Sequence, residues 1–248
     1  MTDKATENLI GPKKLFEVLR KKELVKADEQ LLLFKIAAGY IEGNKELELY
    51  KILTREDRIE NIKAGMEVQP LTNRKNEGNT YLDLAMGSIK IRGTTESGIE
   101  LDNRKEQSFV FCEAKWESDL SLGVSNCSFR NQLQRVIENA LLFAGNNYKG
   151  KIFVTLITPK LYKEHYEMGI NTRFYSYKYE EYTKNIEGTF MKELKLLEET
   201  GKIEFRDKNS MNILKNNLNK LILNWITFEE LIEKMPEGIL KKEVIEKF

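Results

Sequence analysis

A carboxylate and an ammonium group lie two residues apart at the end of an apolar segment of this 248-residue chain. Residues 109–116 read FVFCEAKW, a run rich in aromatic and apolar residues that predicts a β-strand. Because alternate side chains of a strand share a face, Glu113 and Lys115 should lie on one face with Phe109 and Phe111. An acid and a lysine fixed side by side could bind a cation and a phosphate oxygen.

A second acidic strand precedes this one. Residues 98–102 read GIELD, and the segment NRKEQ predicts a hairpin that pairs them with residues 109–115. If Glu100 then faces Glu113, two carboxylates approach each other beside Lys115, and a hard divalent cation held by oxygen atoms would relieve their repulsion. Mg²⁺ fits this ligand set, with Mn²⁺ as an alternative. The corresponding chemistry is hydrolysis of a nucleic-acid backbone, with Lys115 holding the attacking water or a nonbridging oxygen.

The surrounding segments predict the elements that would position these side chains. Helical periodicity dominates from residue 11 to about residue 65, with a helix that starts at Asp28 and has Gly39 and Gly43 as its expected terminators. A polar loop follows, and then come three strands (81–91, 99–102 and 109–115), a helix capped by Ser128 that runs to Ala144, and a buried strand (151–158). A strand-helix-strand return of this length favours a parallel crossover, so the sequence predicts an α/β fold with a mixed central sheet.

These features resemble the PD-(D/E)XK nuclease superfamily, which has the restriction-endonuclease-like fold. The resemblance rests on Glu113-Ala114-Lys115, on the preceding GIELD strand, and on the αβββαβ order of elements between residues 71 and 159. It implies that Glu113 and Lys115 occupy the E-x-K positions, that Glu100 is the first acid, and that the carbonyl of Ala114 joins the metal.

More than one residue could be the first acid. The Pro-Asp pair that names the superfamily is absent, and Ser97-Gly98-Ile99-Glu100 stands in its place. Glu100 is preferred because it shares the strand face expected to meet Glu113, while Asp102 and Glu96 compete for the role.

The superfamily also suggests further site residues. The helix that opens with RNQLQR offers Gln132 for a catalytic role, and Arg135 and Asn131 for binding the substrate phosphate; the alternative is an amphipathic helix with a polar shoulder. Another acid is expected on an N-terminal helix or the first strand. Asp83, inside the apolar run YLDLAMG, is the best candidate for a further metal ligand, because a buried carboxylate needs a partner. Glu48 and Glu46 are the alternatives.

The domain organisation follows from these elements. We expect a single domain with an N-terminal helical part (1–70), a nuclease core (71–159) and a mostly helical C-terminal cover (160–248). Within that cover, the tyrosine-rich stretch 173–182 favours a half-buried strand, with base stacking as the alternative, residues 202–207 favour a short strand, and residues from 209 onward favour helices.

Composition limits the functional classes. Forty Lys and Arg against thirty-nine Asp and Glu leave a net charge of +1, which excludes a uniformly basic nucleic-acid binder. No apolar run approaches the ~20 residues of a membrane helix, and the N-terminal residues lack a secretory signal, so a cytoplasmic protein is expected. His165 is the single histidine, so two-histidine zinc chemistry is excluded and Cys112 or Cys127 would lack a histidine base.

The sequence therefore predicts a Mg²⁺-dependent endodeoxyribonuclease, acting as a restriction or defence enzyme. Its expected partner is DNA, and the preference for DNA over RNA comes from the resemblance alone. A homodimer would supply the two sites that double-strand cleavage requires. The rival hypothesis is a nucleic-acid-binding or assembly module that keeps a nuclease fold without catalysis.

Overall fold

The computed structural model describes residues 7–24, 28–57, 62–71, 74–75, 80–102, 107–121, 130–170 and 173–247. The α-helices in these ranges are α1 (Lys13–Lys21), α2 (Glu29–Glu42), α3 (Glu46–Thr54), α4 (Gln132–Ala144), α5 (Lys160–Glu167), α6 (Phe174–Ile186), α7 (Lys192–Glu199), α8 (Ser210–Asn217), α9 (Phe228–Glu233) and α10 (Ile239–Lys247). The strands are β1 (Lys63–Gly65), β2 (Gln69–Pro70), β3 (Leu84–Gly87), β4 (Ile89–Ile91), β5 (Gly98–Leu101), β6 (Phe109–Ala114), β7 (Ile152–Thr158) and β8 (Leu221–Thr227). A π-helical turn, Glu187–Met191, joins α6 to α7.

The centre of the fold is a five-stranded mixed sheet in the order β1-β3-β6-β7-β8. Strands β6, β7 and β8 are parallel neighbours, whereas β1 and β3 run antiparallel at the other edge. Helix α4 connects β6 to β7, so the predicted parallel crossover and the predicted α/β class with a mixed sheet are both confirmed. No helix in the described ranges is long and apolar enough to cross a membrane.

The alternation of β6 divides the core into two layers, as predicted. Val110, Cys112 and Ala114 pack with α1, α2, α3, α9 and α10 on one face of the sheet. Phe109 and Phe111 pack with α4 and the C-terminal helices on the other face. Because both faces are covered, all six residues of β6 are buried.

Local capping explains the two helices that matter most for the candidate site. The Asp28 side chain accepts a hydrogen bond from the backbone N of Leu31 at 3.1 Å, which starts α2, and Gly43 ends it as predicted. The Asn131 side chain accepts from the backbone N of Gln134 at 2.9 Å and starts α4. Ser128, the predicted cap of α4, lies outside the described residues, as does Cys127.

Several predicted elements are wrong. The hairpin between residues 99–102 and 109–115 does not form, because β5 pairs with β4 and β2 in a separate three-stranded sheet. The tyrosine-rich stretch forms helix α6 instead of a strand, with Tyr175 and Tyr182 buried on one side. Residues 202–207 contribute only an isolated bridge, between Phe205 and Arg74.

The C-terminal part is not only a helical cover. Residues 221–227, which were expected to be helical, form β8 and pair in parallel with the whole length of β7. The segment LILNWIT is rich in β-branched and aromatic residues, which fits a strand, and its last three residues are buried. The strand therefore extends the central sheet, and the final helices α9 and α10 return to pack on the N-terminal layer.

A buried ion triad links α4 to Arg74, which is distant in the chain, and to Arg130, which lies just before the helix. Arg74 Nε donates to Glu138 Oε1 at 2.6 Å, and Arg130 Nη1 donates to Glu138 Oε2 at 2.7 Å. All three side chains are almost fully buried. Although burial alone would raise it, Arg130 and Arg74 hold the pKa of Glu138 below its usual range.

We predict that Glu138→Gln lowers the free energy of unfolding at pH 7 by about 3–5 kcal/mol, because two buried guanidinium groups lose their counter-charge. A glutamate pKa lowered on folding stabilises the fold above the ordinary value of about 4.3, and this stabilisation is lost as the pH falls. Denaturant titrations carried from pH 7 to well below pH 4 should therefore show a shrinking difference in the free energy of unfolding between the wild type and Glu138→Gln. The surface variant Glu199→Gln, in an exposed pair with Lys195, should change the value by no more than about 0.5 kcal/mol. Equal effects of the two substitutions would contradict the triad's stabilising role.

Candidate functional site

The antiparallel pairing of β3 with β6 brings an aspartate next to the E-x-K segment. Leu84 is opposite Cys112 in the sheet, so Asp83, immediately before β3, lies level with Glu113. The Asp83 carboxylate accepts a hydrogen bond from the backbone N of Ala114, with Oδ2 and N 2.7 Å apart. Of the predicted further acids, Asp83 is thus the one that the fold brings to Glu113 and Lys115.

Lys115 is the cation of this site. Its Nζ lies 2.8 Å from Glu113 Oε1 and 3.6 Å from Oε1 of Glu29, and the side chains of Lys115 and Glu113 are each only 6% exposed. Burial alone would lower the pKa of Lys115, but the carboxylates of Glu113, Asp83 and Glu29 raise it above its ordinary value. Lys115 is therefore a protonated hydrogen-bond donor at neutral pH.

Glu29 is a site residue that the sequence reasoning missed. It is the first residue of α2, and its Oε2 accepts from the backbone N of Trp116 at 2.6 Å and from Ser118 Oγ at 3.1 Å. These bonds attach the start of α2 to the segment that follows β6. The available signal was its position directly after the N-cap Asp28, where an acid also interacts favourably with the helix dipole.

Glu67 is a second residue that was missed. It has a positive φ of 51°, a conformation that is uncommon for residues other than glycine. Gln30 Nε2 donates to Glu67 Oε1 at 2.7 Å. Burial first, and then the Glu113 carboxylate, raise the pKa of Glu67. No feature of the sequence around Glu67 indicated its place near Glu113.

These five residues form what we call the acidic cluster: Glu29, Glu67, Asp83, Glu113 and Lys115. Burial and the neighbouring Glu113 carboxylate raise the pKa of Asp83 well above its usual range. Within the described part of the chain, the acidic cluster contains four carboxyl groups and one ammonium group. Such an excess of closely spaced oxygen donors is the chemistry that suits a hard divalent cation.

The carboxyl groups of the acidic cluster are not arranged around one shared position. Among the residues that the structure describes, no three His, Cys, Asp or Glu side chains are arranged as ligands of a metal ion. Glu113 bonds to Lys115, and Asp83 bonds to the backbone of Ala114. The acidic cluster therefore contains oxygen ligands of the type that Mg²⁺ prefers, but the described side chains do not hold them in the arrangement of a metal site.

The structure does not bring the other predicted acids to this cluster. Glu100 lies on the separate three-stranded sheet, half-exposed, with an Oε1 atom 3.3 Å from Lys90 Nζ. The expectation that Glu100 faces Glu113 is therefore wrong, since β5 does not pair with β6. Asp102 follows the same strand, and Glu96 accepts a hydrogen bond from the backbone N of Lys13.

The alternatives on the N-terminal helices are also placed elsewhere. Glu46 and Glu48 lie in the first turn of α3, and Glu48 pairs with Lys45 on the surface.

The polar residues at the start of α4 have separate contacts. Gln132 Oε1 accepts from the backbone N of Ser121 at 2.9 Å, within the segment that leads away from Lys115. Asn131 caps the helix, and its Nδ2 donates to the Tyr182 hydroxyl at 3.3 Å. Arg135 lies half-buried in the first turns of α4. Gln132 and Asn131 therefore bond to groups outside the acidic cluster. The roles of all three residues in catalysis and phosphate binding stay predictions.

Comparison with known proteins adds no family assignment. No family model, curated protein or solved structure matches this chain. The function must therefore be argued from the geometry and charge of the acidic cluster.

We predict that Asp83→Asn raises the melting temperature at pH 8. A carboxyl whose pKa is raised on folding destabilises the fold as the pH rises above its ordinary value of about 3.9, and asparagine has no such charge. Each kcal/mol added to the free energy of unfolding should raise the melting temperature by about 2–4 °C in a domain of this size. The gain should shrink as the pH is lowered toward about 4.

The matched control is Asp102→Asn, the same change at a carboxylate outside the acidic cluster. Thermal unfolding followed by circular dichroism should show little pH-dependent difference for this variant. If Asp83→Asn lowered the melting temperature at pH 8, the burial of the Asp83 charge and its repulsion from Glu113 would not be the dominant effects.

Proposed function

We propose that this protein is a Mg²⁺-dependent nuclease of the PD-(D/E)XK type that hydrolyses DNA. The observation that carries the proposal is the position of Asp83 beside Glu113-Ala114-Lys115 on neighbouring antiparallel strands. An acid on one strand and an E-x-K segment on the next is the arrangement that the superfamily resemblance requires. Under this proposal Asp83, and not Glu100, takes the role of the first acid.

The topology supports the same proposal. Helix α2 precedes the strands in the chain and packs on the central sheet. Strands β3 and β6 are antiparallel neighbours, and β6, α4 and β7 form a parallel crossover. This order is compatible with a restriction-endonuclease-like core, in which β4 and β5 form an excursion between β3 and β6.

Asp83, Glu113 and the carbonyl of Ala114 would hold Mg²⁺ in this proposal. The bound cation would stabilise the negative charge that develops on the phosphodiester oxygens. A cation there would also offset the burial and the repulsion from Glu113 that together raise the pKa of Asp83.

Lys115 would act as a hydrogen-bond donor to a nonbridging phosphate oxygen or to the attacking water. Its raised pKa favours the ammonium form, so it is better suited to donate than to remove a proton. Glu29 would position Lys115, since it approaches the ammonium group while it is itself fixed by Trp116 and Ser118. Gln132 and Arg135 would contact the substrate from the start of α4.

A noncatalytic nucleic-acid-binding or assembly module is the second candidate function. The observation that favours it is the direct bond between Lys115 and Glu113 together with the absence of a metal-like grouping among the described side chains. In that case the acidic cluster would be a structural network. Cleavage assays separate the two candidates.

We predict Mg²⁺-dependent cleavage of plasmid DNA that is abolished by Asp83→Asn and by Glu113→Gln. Glu100→Gln is the matched control, because it removes a carboxylate charge outside the acidic cluster, and it should retain near wild-type turnover. The measurement is the initial rate of nicking and linearisation in Mg²⁺, with chelator and with Mn²⁺ as comparisons. A homodimer should linearise DNA, whereas a monomer should mainly nick it.

If Glu100→Gln abolished cleavage and Asp83→Asn retained it, the role of first acid would return to Glu100. Wild-type turnover by a folded Glu113→Gln protein would refute the nuclease proposal altogether.

We further predict that Lys115→Met lowers kcat by about 10²–10³-fold, the typical cost of losing one donor that stabilises the transition state. Methionine keeps most of the aliphatic stem and removes the charge. DNA affinity measured in Ca²⁺ should fall by no more than the loss of about one phosphate contact. Unchanged turnover with a lower melting temperature would instead favour the noncatalytic module, in which Lys115 only neutralises buried carboxylates.

A further inference from the structure

A pocket of about 240 Å³ lies between α4, α6 and α7, apart from the acidic cluster. Its walls combine two amide side chains, an ion pair and three apolar side chains: Asn131, Gln134, Lys178, Glu193, Phe174, Leu196 and Leu197. The volume is below the ~300–1,000 Å³ of pockets that hold drug-sized ligands, and above the 150 Å³ of an engineered cavity that holds benzene. A compound of one or two rings would fit.

Gln134 is the residue that indicates a ligand. Its side chain is buried, with 1% of the residue exposed, yet no described residue accepts a hydrogen bond from its Nε2. The cap of α4 uses the backbone N of Gln134 and leaves its side-chain amide unused. Because buried amides in folded proteins are almost always paired, an unpaired one that lines a pocket marks a position for an external acceptor.

The two charged side chains that line the pocket, Lys178 and Glu193, are paired with each other. Lys178 Nζ lies 2.8 Å from Glu193 Oε1, and the Tyr182 hydroxyl donates to Glu193 Oε2 at 2.8 Å. Asn131 in turn donates to the Tyr182 hydroxyl. Lys178 Nζ also lies 2.7 Å from Glu181 Oε2, so carboxylates already neutralise its charge and an uncharged ligand is favoured over an anion.

The walls favour a flat ring. Phe174 offers an aromatic side chain, and Leu196 and Leu197 supply apolar surface. The Phe174 backbone N donates to Asp119 Oδ2 at 2.7 Å, which fixes the start of α6 against the segment that follows β6. Aromatic rings of this kind stack on bases without a strong preference for one base.

We propose that this pocket binds a nucleobase, with the Gln134 amide donating to a carbonyl oxygen or ring nitrogen of the base. The base is supplied either by a nucleic-acid strand or by a free nucleoside. Phe174, which lines the pocket, bonds to Asp119. Asp119 is four residues from Lys115 and so lies within about 14 Å of it, a distance that a few nucleotides of one strand can span. The proposal that a nucleic-acid strand supplies the base rests on the proposed nuclease function. Binding of a base does not itself require cleavage.

The first arm of the test uses free nucleosides and no metal. Uridine and adenosine are titrated into the ¹⁵N-labelled full chain, and the Gln134 side-chain NH₂ signal is identified by its absence in Gln134→Leu. We expect a saturable shift of this signal with either nucleoside and none with ribose. Gln134→Leu should weaken nucleoside binding about three- to tenfold, the effect of one lost hydrogen bond.

The matched control is Asn139→Leu. Asn139 is on the same helix, is buried, and also has an Nδ2 atom without a partner among the described residues, but it does not line the pocket. This variant should bind nucleosides like the wild type. Phe174→Leu, which keeps an apolar side chain but removes the ring, should weaken binding by about fivefold or more. Melting temperatures of all three variants show whether each remains folded.

The second arm measures the anisotropy of a labelled single-stranded oligonucleotide in Ca²⁺. Weaker binding by Gln134→Leu, but not by Asn139→Leu, would identify a base of the strand as the occupant. Nucleoside binding with unchanged oligonucleotide affinity would identify a free nucleoside. The proposal is overturned if millimolar nucleosides leave the Gln134 signal unshifted and folded Gln134→Leu and Phe174→Leu bind the oligonucleotide like the wild type. Loss of the nuclease proposal would appear separately, as absent Mg²⁺-dependent cleavage with nucleoside binding intact.

Discussion

The sharing of one ammonium group among several carboxyl groups is the constraint on which this structure depends. Lys115 bonds to Glu113 and approaches Glu29, while burial and the Glu113 carboxylate raise the pKa of Asp83. Charges that are removed from water interact strongly, so each carboxyl group limits where the next one can be placed. The cluster is therefore stable only if rigid backbone elements hold its members.

Those elements meet at the end of β6. Strand β3 lies on one side of it and β7 on the other, and Lys115 extends the β6–β7 ladder by donating its backbone N to the carbonyl of Ile157 at 2.8 Å. Helix α2 is attached to the same end through Glu29 and the backbone of Trp116. The cluster is thus built on strands and a buried helix, which favours the precise positioning that phosphodiester chemistry requires.

Helix α4 links three polar features of the fold. Gln132 near its start contacts the segment that follows β6, Gln134 faces the pocket beside α6, and Glu138 accepts from two buried arginines. Its apolar stripe packs on the sheet. Because one helix carries all three side chains, the backbone of α4 fixes the spacing between them.

Local pattern was enough to predict the strand at residues 109–115, the pairing of Glu113 with Lys115 on one face, the crossover helix α4 and the buried strand β7. These follow from side-chain periodicity and capping, which act within a few residues. The partner acid could not be settled in this way. The sequence offers Asp83 only as a further metal ligand and gives no sign that Glu29 or Glu67 joins the acidic cluster. It favours Glu100 as the first acid because its neighbours predict a short hairpin. Strand pairing and the docking of α2 depend on contacts between residues far apart in the chain, and so the tertiary structure alone selects which acids meet Lys115 and reveals that residues 221–227 complete the sheet.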